Sequence, residues 1–415
     1  METNYFVGID FGGTHSSVAI YKGYAPEILH GNCNGYAIPS YVSFTNNEIV
    51  VGETAKDISQ NNPENAIYDS KFMLGHKFDD PVFQERMKKW PFEVISSQNG
   101  EPLIEVNDQN DIQHFSPEDI TSLILKHLKE MVDSYLSINI KNVVIAVPAD
   151  WRYDNRRIEI IRRAAEKAGF NVVNFVYDPI AVAIAYKIKE KYNTGKIALV
   201  FDFGGNYLKA SLLKIKDGDL EILSSARKDI GGEDFDINLS EYIAKIFEDR
   251  FKIDLHQNHR SMFLLKSVCE KAKKDLSNSK EALLLQAQIF NNKDLNQKIR
   301  RREFEEMNSS LFDKILEPVN DALIEANIKP ENVDVVLLAG GTSKIPKVSE
   351  ILGKIFNGKV ISNGIDPEKA IVFGAAMRAK DLSKQNCDDE DDDVPCIKEP
   401  TNHVKHLIGV NIGKS

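Results

Sequence analysis

The chain has 415 residues, of which 42% are hydrophobic and 27% are charged, and its formal net charge is −10. This length predicts two or more domains and a large core, whereas the acidic balance argues against a surface that grips nucleic-acid phosphates with clustered Lys and Arg. The longest apolar runs are too short to span a bilayer, so we expect neither nucleic acid nor a membrane as a direct partner.

The cysteines and the N-terminus predict a cytoplasmic location. The cysteines at positions 33, 269, 387 and 396 form no C-x-x-C pair and fit no zinc spacing. Isolated reduced thiols of this kind are typical of the reducing cytosol. The segment from Met1 to Phe6 is short and polar and does not resemble a secretory signal.

An internal repeat is the first organised feature along the chain. Val7–Thr14 (VGIDFGGT) recurs in the second half as Leu199–Asn206 (LVFDFGGN). In both copies an apolar run predicts a strand, Asp-x-Gly-Gly ends it, and a second strand follows with alternating apolar and polar residues. A duplicated strand-turn-strand predicts two similar lobes that face each other.

Strand and helix signals alternate after each hairpin. The predicted strands are Val143–Pro148, Val172–Val176 and Val333–Leu338, and the predicted helices are Asn155–Gly169, Ile180–Ile188, Ile237–Phe251 and Met262–Leu276. This alternation predicts an α/β fold with mixed sheets, as opposed to a helical bundle or a β-sandwich.

The C-terminal part of the chain has a different composition. Six acidic residues run without a break from Asp388 to Asp393. We interpret 384–402 as an acidic flexible linker, with a docking tail for a basic surface as the alternative. A short apolar segment, 403–415, follows it.

The two Asp-x-Gly-Gly tips predict a phosphate site. Glycine leaves backbone N–H groups free to approach phosphate oxygens, and an aspartate at the end of each strand, Asp10 and Asp202, can hold Mg²⁺ through its water shell. A third glycine loop, Gly340-Gly341, also follows a predicted buried strand. The alternative is three structural turns, which would leave unexplained why all three follow buried strands.

These loops resemble those of the superfamily of actin, sugar kinases and heat-shock proteins, and further motifs resemble the DnaK-type, seventy-kilodalton heat-shock chaperones. Those motifs are Asn65–Gly75, Tyr177–Tyr186, Ile230–Asp236, Cys269–Ser277 and Leu338–Pro346. The resemblance covers residues 4 to about 383. It implies an actin-like ATPase fold with two lobes, each built on a ribonuclease-H-like mixed sheet, and a nucleotide in the cleft between them.

The resemblance also implies domain limits. Residues 1–383 would form the nucleotide-binding domain, with lobe I at 1–191 and 364–383 and lobe II at 192–363. The linker at 384–402 would follow, and 403–415 resembles the start of a substrate-binding domain.

Site residues follow from the same resemblance, with ATP or ADP and Mg²⁺ as the implied cofactors. The catalytic residues would be Asp10, Lys71, Asp178 and Asp202, with Asp10 and Asp202 holding the metal through water. The nucleotide-binding residues would be Gly12, Gly13, Thr14, His15, Gly204, Gly205, Gly231, Glu270, Lys273, Lys274, Ser277, Gly340, Gly341, Thr342 and Lys344. The four from Glu270 to Ser277 share one helical face, which without the resemblance would read as a solvated charge stripe.

Departures from the family concentrate where the transferred phosphate would lie. Gly13 and Tyr207 stand at positions where the family has threonine, Asn206 replaces a glycine, Lys209 an aspartate, and Asp178 a glutamate. Hydrolysis of this type depends on positioning, so a displacement near ~1 Å can cost on the order of 10²-fold in rate. We expect ATP binding to survive and hydrolysis to be weak or absent.

The implied partners follow from a subgroup of the family. The leucine-rich linker through which a J protein stimulates hydrolysis is not recognisable, and Lys209 reverses a charge where the family receives a J domain. In its Asp-Phe-Gly-Gly second loop without the threonine, and in a substituted linker that ends in a Leu-Ile-Gly-type segment, the chain resembles the atypical member of the eukaryotic ribosome-associated complex. The resemblance implies a zuotin-type J protein as partner, the ribosome through that partner, and nascent or unfolded polypeptides as clients.

Two alternative functions stay open at this point, as does the role of one basic stretch. The chain could be a cycling, J-protein-stimulated ATPase chaperone of the cytosol, or a small-molecule kinase on the same fold, although it has no motif for a sugar or acetate pocket. An arginine-rich stretch is either an ordinary exposed helix face or a docking surface for a partner or ribosome; it comprises Arg152, Arg156, Arg157, Arg162 and Arg163.

Overall fold

The computed structural model describes residues 5–31, 35–45, 48–108, 111–216, 219–361 and 364–388. Its strands are β1 (Phe6–Phe11), β2 (His15–Lys22), β3 (Ala25–Ile28), β4 (Ile38–Pro39), β5 (Val42–Thr45), β6 (Glu48–Val51), β7 (Ala66–Ile67), β8 (Glu93–Ser96), β9 (Pro102–Asp108), β10 (Asp111–Phe115), β11 (Asn142–Val147), β12 (Asn171–Tyr177), β13 (Ile197–Phe203), β14 (Leu208–Lys216), β15 (Asp219–Lys228), β16 (Glu281–Phe290), β17 (Lys293–Arg300), β18 (Val335–Ala339) and β19 (Val360–Ile361).

The α-helices in the same ranges connect and cover these strands. They are α1 (Glu53–Ile58), α2 (Ser70–Met73), α3 (Pro81–Met87), α4 (Pro117–Leu136), α5 (Asn155–Lys167), α6 (Asp178–Ala185), α7 (Ile188–Lys191), α8 (Gly232–Phe251), α9 (His259–Asn278), α10 (Arg301–Met307), α11 (Ser309–Lys314), α12 (Glu317–Glu325), α13 (Pro346–Phe356) and α14 (Ala370–Asp388). In the part of the chain that is described, no helix combines the length and the apolar composition that crossing a membrane requires.

Each half of the chain builds a sheet with the same strand order. The first sheet runs β3-β2-β1-β11-β12, with β4 also paired to β2, and the second runs β15-β14-β13-β18-β19. In both sheets the first three strands of the half are antiparallel, and the later two are added in parallel. The internal repeat predicted from the sequence is therefore confirmed, because the two Asp-x-Gly-Gly motifs end equivalent strands. We call the residues around these sheets the first and the second lobe, while the exact limits of the lobes stay predictions.

The central strands are apolar because helices cover them. Val7, Ile9 and Phe11 of β1 are each at most 1% exposed, and the strand β18 is buried along its whole length. Strands covered on both faces read as continuous apolar runs without alternation. Burying one such side chain stabilises the fold by about 1.5–3 kcal/mol.

Helices α6 and α14 join the two lobes. Val182 on α6 and Ile371 on α14 belong to one apolar cluster with Val144 of the first sheet and Val200 of the second. The hydroxyl of Tyr186 donates to the carbonyl of Leu338 at 2.9 Å, which links the end of α6 to the second sheet. The lobes therefore share a packed base as well as having their own cores.

Two glycines allow α14 to approach this base closely. A Cβ at Gly374 would lie 1.8 Å from the carbonyl oxygen of Ala181 on α6, and a Cβ at Gly8 on β1 would lie 2.1 Å from the backbone nitrogen of Ala376. No side chain fits at such distances, so these positions accept only glycine without a backbone shift.

Several element limits differ from the sequence prediction. Helix α6 ends at Ala185 because Lys187 adopts a left-handed conformation, so that α7 is a separate helix. Helix α8 begins at Gly232, five residues before the predicted Ile237, and Asp234 accepts a capping hydrogen bond from the backbone of Gly231. Helix α14 runs to Asp388 and so includes 384–388 of the predicted linker; 389–402 and the segment 403–415 lie outside the described residues.

Candidate functional site

A half-buried ammonium group, that of Lys209, lies between two carboxylates, Asp178 at the start of α6 and Asp202 at the end of a central strand. Asp202 ends β13, and the antiparallel register of the hairpin places Lys209 of β14 directly opposite it. Lys209 Nζ donates to Asp178 Oδ2 at 2.8 Å and lies 3.7 Å from Asp202 Oδ2. Asp178 is the first residue of α6, so this one ammonium connects α6 to the tip of the second hairpin.

The carboxylates in this cluster have different proton affinities. Burial raises the pKa of Asp10 to about 7, reinforced by the charges of Asp178 and Asp202 and opposed by the two nearby lysines. Burial also raises the pKa of Asp202, with Lys209 opposing it. Burial disfavours the ionised form of Asp178 as well, but the ammonium groups of Lys209 and Lys71 lower its pKa below the ordinary value.

The two lysines respond in opposite directions. Burial lowers the pKa of Lys71, despite the nearby Asp178. For Lys209 the burial penalty is outweighed by Asp178 and Asp202, which raise its pKa above the ordinary value. The two carboxylates therefore favour the charged form of Lys209.

Lys71 reaches the first glycine loop. Its ammonium donates to the backbone carbonyl of Phe11, the residue between Asp10 and Gly12. It also lies 5.7 Å from the ring centre of Phe11 and 5.8 Å from that of Trp151, at cation–π distance. The residue predicted to be the catalytic lysine thus lies beside the predicted phosphate loop.

Glycine is required in the first loop at one position and faces open space at another. A Cβ at Gly12 would lie 2.0 Å from the carbonyl oxygen of His15, so the turn closes too tightly for any other residue. A Cβ at Gly13 would meet no described atom within 4 Å. Burial lowers the pKa of His15 to about 4, which makes its imidazole neutral at physiological pH.

The two Asp-x-Gly-Gly loops, the first at Gly12-Gly13 and the second at Gly204-Gly205, meet across the lobes. A Cβ at Gly205 would lie 2.6 Å from Thr14 Oγ1, which places the side chain of Thr14 against the second loop. A Cβ at Gly231 would lie 1.9 Å from the carbonyl oxygen of Gly205, and the N–H of Gly232 donates to Gly204 at 3.0 Å. The second loop and the start of α8 are therefore in backbone contact, and the side chain of Thr14 connects the first loop to them.

The third glycine loop closes on the second. Thr342 Oγ1 donates to the carbonyl of Gly204 at 2.8 Å. Gly340 has a left-handed φ of 77°, and a Cβ there would lie 2.3 Å from the carbonyl oxygen of Phe203. Asp366 and Glu368 contact the next residues of this loop. A Cβ at Gly341 would lie 2.5 Å from Glu368 Oε1, and Lys344 forms ion pairs at 3.1 Å with Asp366 and at 3.3 Å with Glu368.

The predicted nucleoside-binding helix is α9, and one of its residues forms an ion pair across the lobes. Glu270 lies 3.1 Å from Lys56 Nζ of α1 and accepts from Lys274 at 2.7 Å. Burial disfavours its ionised form, yet Lys56 and Lys274 hold the pKa of Glu270 below its usual range.

The other residues of that helix face are placed differently. Lys273 is 9% exposed, and its ammonium donates to the carbonyl of Gly232 at 2.8 Å and to Asp236. Ser277 donates to the carbonyl of Lys273 at 3.3 Å. Helical spacing brings the four residues to one side of α9, but Lys273 supports the start of α8 from within the second lobe.

Several residues of the site escaped the sequence prediction. Asp69 accepts from Asn206 of the second loop, and also from Arg86 and Trp90 of the first lobe. Lys209, interpreted from the sequence as a charge on a J-domain surface, instead points inward with only 18% of its side chain exposed. The register of the predicted hairpin places Lys209 opposite Asp202, and this could have predicted its contact with that carboxylate. No local sequence pattern indicates the partners of Asp69.

The arginine-rich stretch is engaged in ion pairs. All five guanidinium groups lie within 4.0 Å of a carboxylate: Arg152 with Glu325, Arg156 with Glu101, Arg157 with Asp154, Arg162 with Glu159, and Arg163 with Glu118. Such pairing favours an ordinary helix face for the three arginines of α5 that are more exposed, whereas Arg152, which precedes α5, and Arg157 have only 20% and 19% of their side chains exposed.

The donors present fit a phosphate-bearing ligand better than a directly coordinated metal. Among the described residues, no three His, Cys, Asp or Glu side chains are arranged to hold a metal ion. Asp10 and Asp202 are half-buried at the strand ends, which suits contact with Mg²⁺ through water. The open space at Gly13 and the close backbone of the three loops suit phosphate oxygens.

Comparison with known proteins identifies the family. The family model described as "Hsp70 protein" matches residues 6–394. Among similar curated proteins, "Heat shock cognate 70 kDa protein 3" of Dictyostelium discoideum is 37% identical over 91% of this chain and 60% of its own length. "Heat shock 70 kDa protein" of Neurospora crassa is 36% identical over 91% of this chain and 58% of its own length.

A third relative carries a more specific name. A protein of Saccharomyces cerevisiae that is named as a ribosome-associated molecular chaperone is 34% identical over 94% of this chain and 63% of its own length. The chain thus spans about three fifths of the length of these curated relatives. The predicted actin-like ATPase fold is confirmed by the family match together with the duplicated sheets. The chain belongs to the Hsp70 protein family.

Proposed function

We propose that this chain is the nucleotide-binding part of an Hsp70-type chaperone and that it binds ATP but hydrolyses it weakly or not at all. The family match and the three glycine loops support nucleotide binding. The observation that supports weak or absent hydrolysis is the hydrogen bond from Lys209 Nζ to Asp178 Oδ2 at 2.8 Å.

Asp178 is poorly suited to act on a water molecule. One of its oxygens accepts from Lys209, and the other, Oδ1, is buried without a hydrogen-bond partner among the described residues. The lysines also lower the pKa of Asp178, and a less basic carboxylate is a weaker general base. Mg²⁺, when bound, would neutralise phosphate charge, and Asp10 with Asp202 would hold it through water.

The second loop adds to this proposal. Tyr207 replaces the hydroxyl of a threonine with a phenol ring that lies 4.8 Å from the guanidinium carbon of Arg227. Asn206 is tied to Asp69 and cannot turn its amide toward a phosphate without breaking that bond. Positioning of the transferred phosphate would therefore depend on fewer groups than the family uses.

A cycling ATPase remains the alternative function, because Asp10, Asp202 and Lys71 are retained. The decisive experiment is calorimetry of ATP binding with Mg²⁺, followed by single-turnover hydrolysis on the same protein, alone and with excess J domain. Tight binding without hydrolysis, partly restored in the double variant Tyr207→Thr with Asn206→Gly, would support the proposal. Hydrolysis at an ordinary rate, accelerated by the J domain, would establish the cycling chaperone instead.

For the cellular role we propose a cytoplasmic chaperone subunit that assists nascent chains on the ribosome together with a zuotin-type J protein. The relative from Saccharomyces cerevisiae supports the ribosomal part of this role, since its name calls it ribosome-associated. The residue range 1–383 would be the nucleotide-binding domain, with the acidic linker and the apolar segment after it. Co-sedimentation with ribosomes, with and without the J protein, tests this role; ribosome binding that needs no partner would contradict it.

A further inference from the structure

The charges around Lys209 lead to an inference about metal dependence that rests on the proposed nucleotide binding. Three carboxylates, Asp10, Asp178 and Asp202, and two ammonium groups, Lys71 and Lys209, interact in one site. Without cations such a group of carboxylates would repel a polyphosphate, because like charges at short range disfavour each other. One of the cations that the site needs is part of the chain itself.

The position of the Lys209 ammonium is fixed by the fold. The strand register places Lys209 opposite Asp202, and the hydrogen bond to Asp178 at 2.8 Å holds its end. An ammonium has three donors, and Asp178 takes one of them while Asp202 lies 3.7 Å away. A group ordered in this way during folding loses little further freedom when a ligand binds.

A divalent cation would have to compete with this group. Lys209 already pairs with Asp178 and lies near Asp202, so a metal ion or its water shell must share these carboxylates with Lys209 or displace it. The carboxylate of Asp178 is almost fully buried, with 5% of its side chain exposed. Lys209 forms its ion pairs with Asp178 and Asp202. Of the three carboxylates, Asp10 is therefore the one that a metal ion could contact without displacing Lys209. The chain itself therefore supplies part of the charge compensation that a hydrated metal ion would otherwise provide.

We propose that Lys209 is a built-in counter-ion of the phosphate site, so that this chain binds adenine nucleotide without requiring a divalent cation. The ligand is a nucleoside di- or triphosphate, which the site would accept in its metal-free form. This extends the proposed function, since it states which form of the nucleotide the site accepts.

The test is ATP and ADP binding by calorimetry in Mg²⁺ and in excess EDTA, on the full chain. We expect wild-type affinity in EDTA to stay within roughly tenfold of that in Mg²⁺, a difference of about 1.4 kcal/mol. Strictly metal-dependent binding would overturn the inference while leaving the proposed function intact. Absence of binding in both buffers would contradict the proposed function and the inference with it.

Variants separate charge from structure. Lys209→Met should lose at least about tenfold in affinity in EDTA and regain much of it in Mg²⁺, whereas Lys209→Arg, which keeps the charge, should bind in both. The matched control is Lys216→Met on the same strand, where the side chain is 63% exposed and its ammonium lies 4.0 Å from Glu221. Mn²⁺ binding without nucleotide gives a second measurement: Lys209→Met should bind Mn²⁺ more tightly, and equal affinity would count against the inference. If Lys209→Met does not fold, the wild-type comparison alone decides.

Discussion

Asn206 Nδ2 donates to Asp69 Oδ1 at 3.0 Å and so connects the second glycine loop to the first lobe. The other oxygen of Asp69 accepts from Arg86 at 2.9 Å and from the indole of Trp90 at 3.0 Å. Asn206 is 9% exposed, and within the described part of the chain its own side-chain oxygen has no hydrogen-bond partner. The residue that replaces a family glycine is therefore a bridge between the lobes.

Asn206→Gly should loosen this bridge. The bond to Asp69 is lost while Arg86 and Trp90 keep their partner, so we expect a cost of about 1 kcal/mol in the free energy of unfolding. Hydrogen exchange of the second loop should become faster. Asp69→Asn is the companion variant, and because it also removes the charge opposite Arg86 it should cost more than Asn206→Gly. Unchanged exchange in Asn206→Gly would show that the bridge does not restrain the lobes.

Lys209→Gln should destabilise the fold strongly. The ion pair with Asp178 is buried, with 18% and 5% of the side chains exposed, and removing one partner of such a pair costs about 3–5 kcal/mol. Adding Asp178→Asn should recover part of that loss, because no unpaired charge remains. Urea unfolding of the two single variants and the double variant measures this coupling; strictly additive effects would contradict the pairing.

The raised pKa of Asp10 makes stability depend on pH. Burial moves it from 3.8 to about 7, so between these values the folded state binds more protons than the unfolded state. The contribution of this group is therefore fully present below about pH 3.8 and is lost as pH rises toward 7. Asp10→Asn should remove this component from the pH profile of the free energy of unfolding.

The exposed Asp249→Asn is the control for Asp10→Asn, with 66% of its side chain exposed. Glu233, with its pKa raised to about 7, and Asp236, with its pKa raised to about 6, are both shifted mainly by burial and act in the same direction. Because these groups contribute to both proteins, the pH profile of the free energy of unfolding of Asp10→Asn must be compared with that of the wild type. Identical profiles would contradict the shift of Asp10.

Gly374→Ala should disrupt the base that joins the lobes. Its Cβ would lie 1.8 Å from the carbonyl oxygen of Ala181, so α14 must move away from α6. Overpacking of this kind costs about 1–3 kcal/mol. Gly353→Ala is the matched control in helix α13, where a Cβ would meet no described atom within 4 Å, and there the higher helix propensity of alanine should stabilise by about 0.5–1 kcal/mol. Thermal unfolding of both proteins checks the opposite signs.

Features that depend on near neighbours along the chain could be predicted from the amino-acid sequence. The apolar runs with Asp-x-Gly-Gly at their ends predicted the two hairpins, and the structure places them at equivalent positions in two like sheets. The third loop at Gly340 and the helix α9 were also predicted, because strand burial, glycine turns and helical spacing are local properties of a chain. Limits such as the break at Lys187 escaped, since a single left-handed residue has no strong sequence signal.

Contacts between side chains that are distant in the sequence became known from the packing of the folded chain. Helical spacing places Lys273 and Lys274 on one face of α9, yet the first turns inward to Gly232 and Asp236 while the second pairs with Glu270. Lys209 meets Asp178 because a hairpin of the second lobe packs against the start of α6. Charges separated along the chain come together only when packing brings their elements into contact, and a buried charge is stable only with its partner in place.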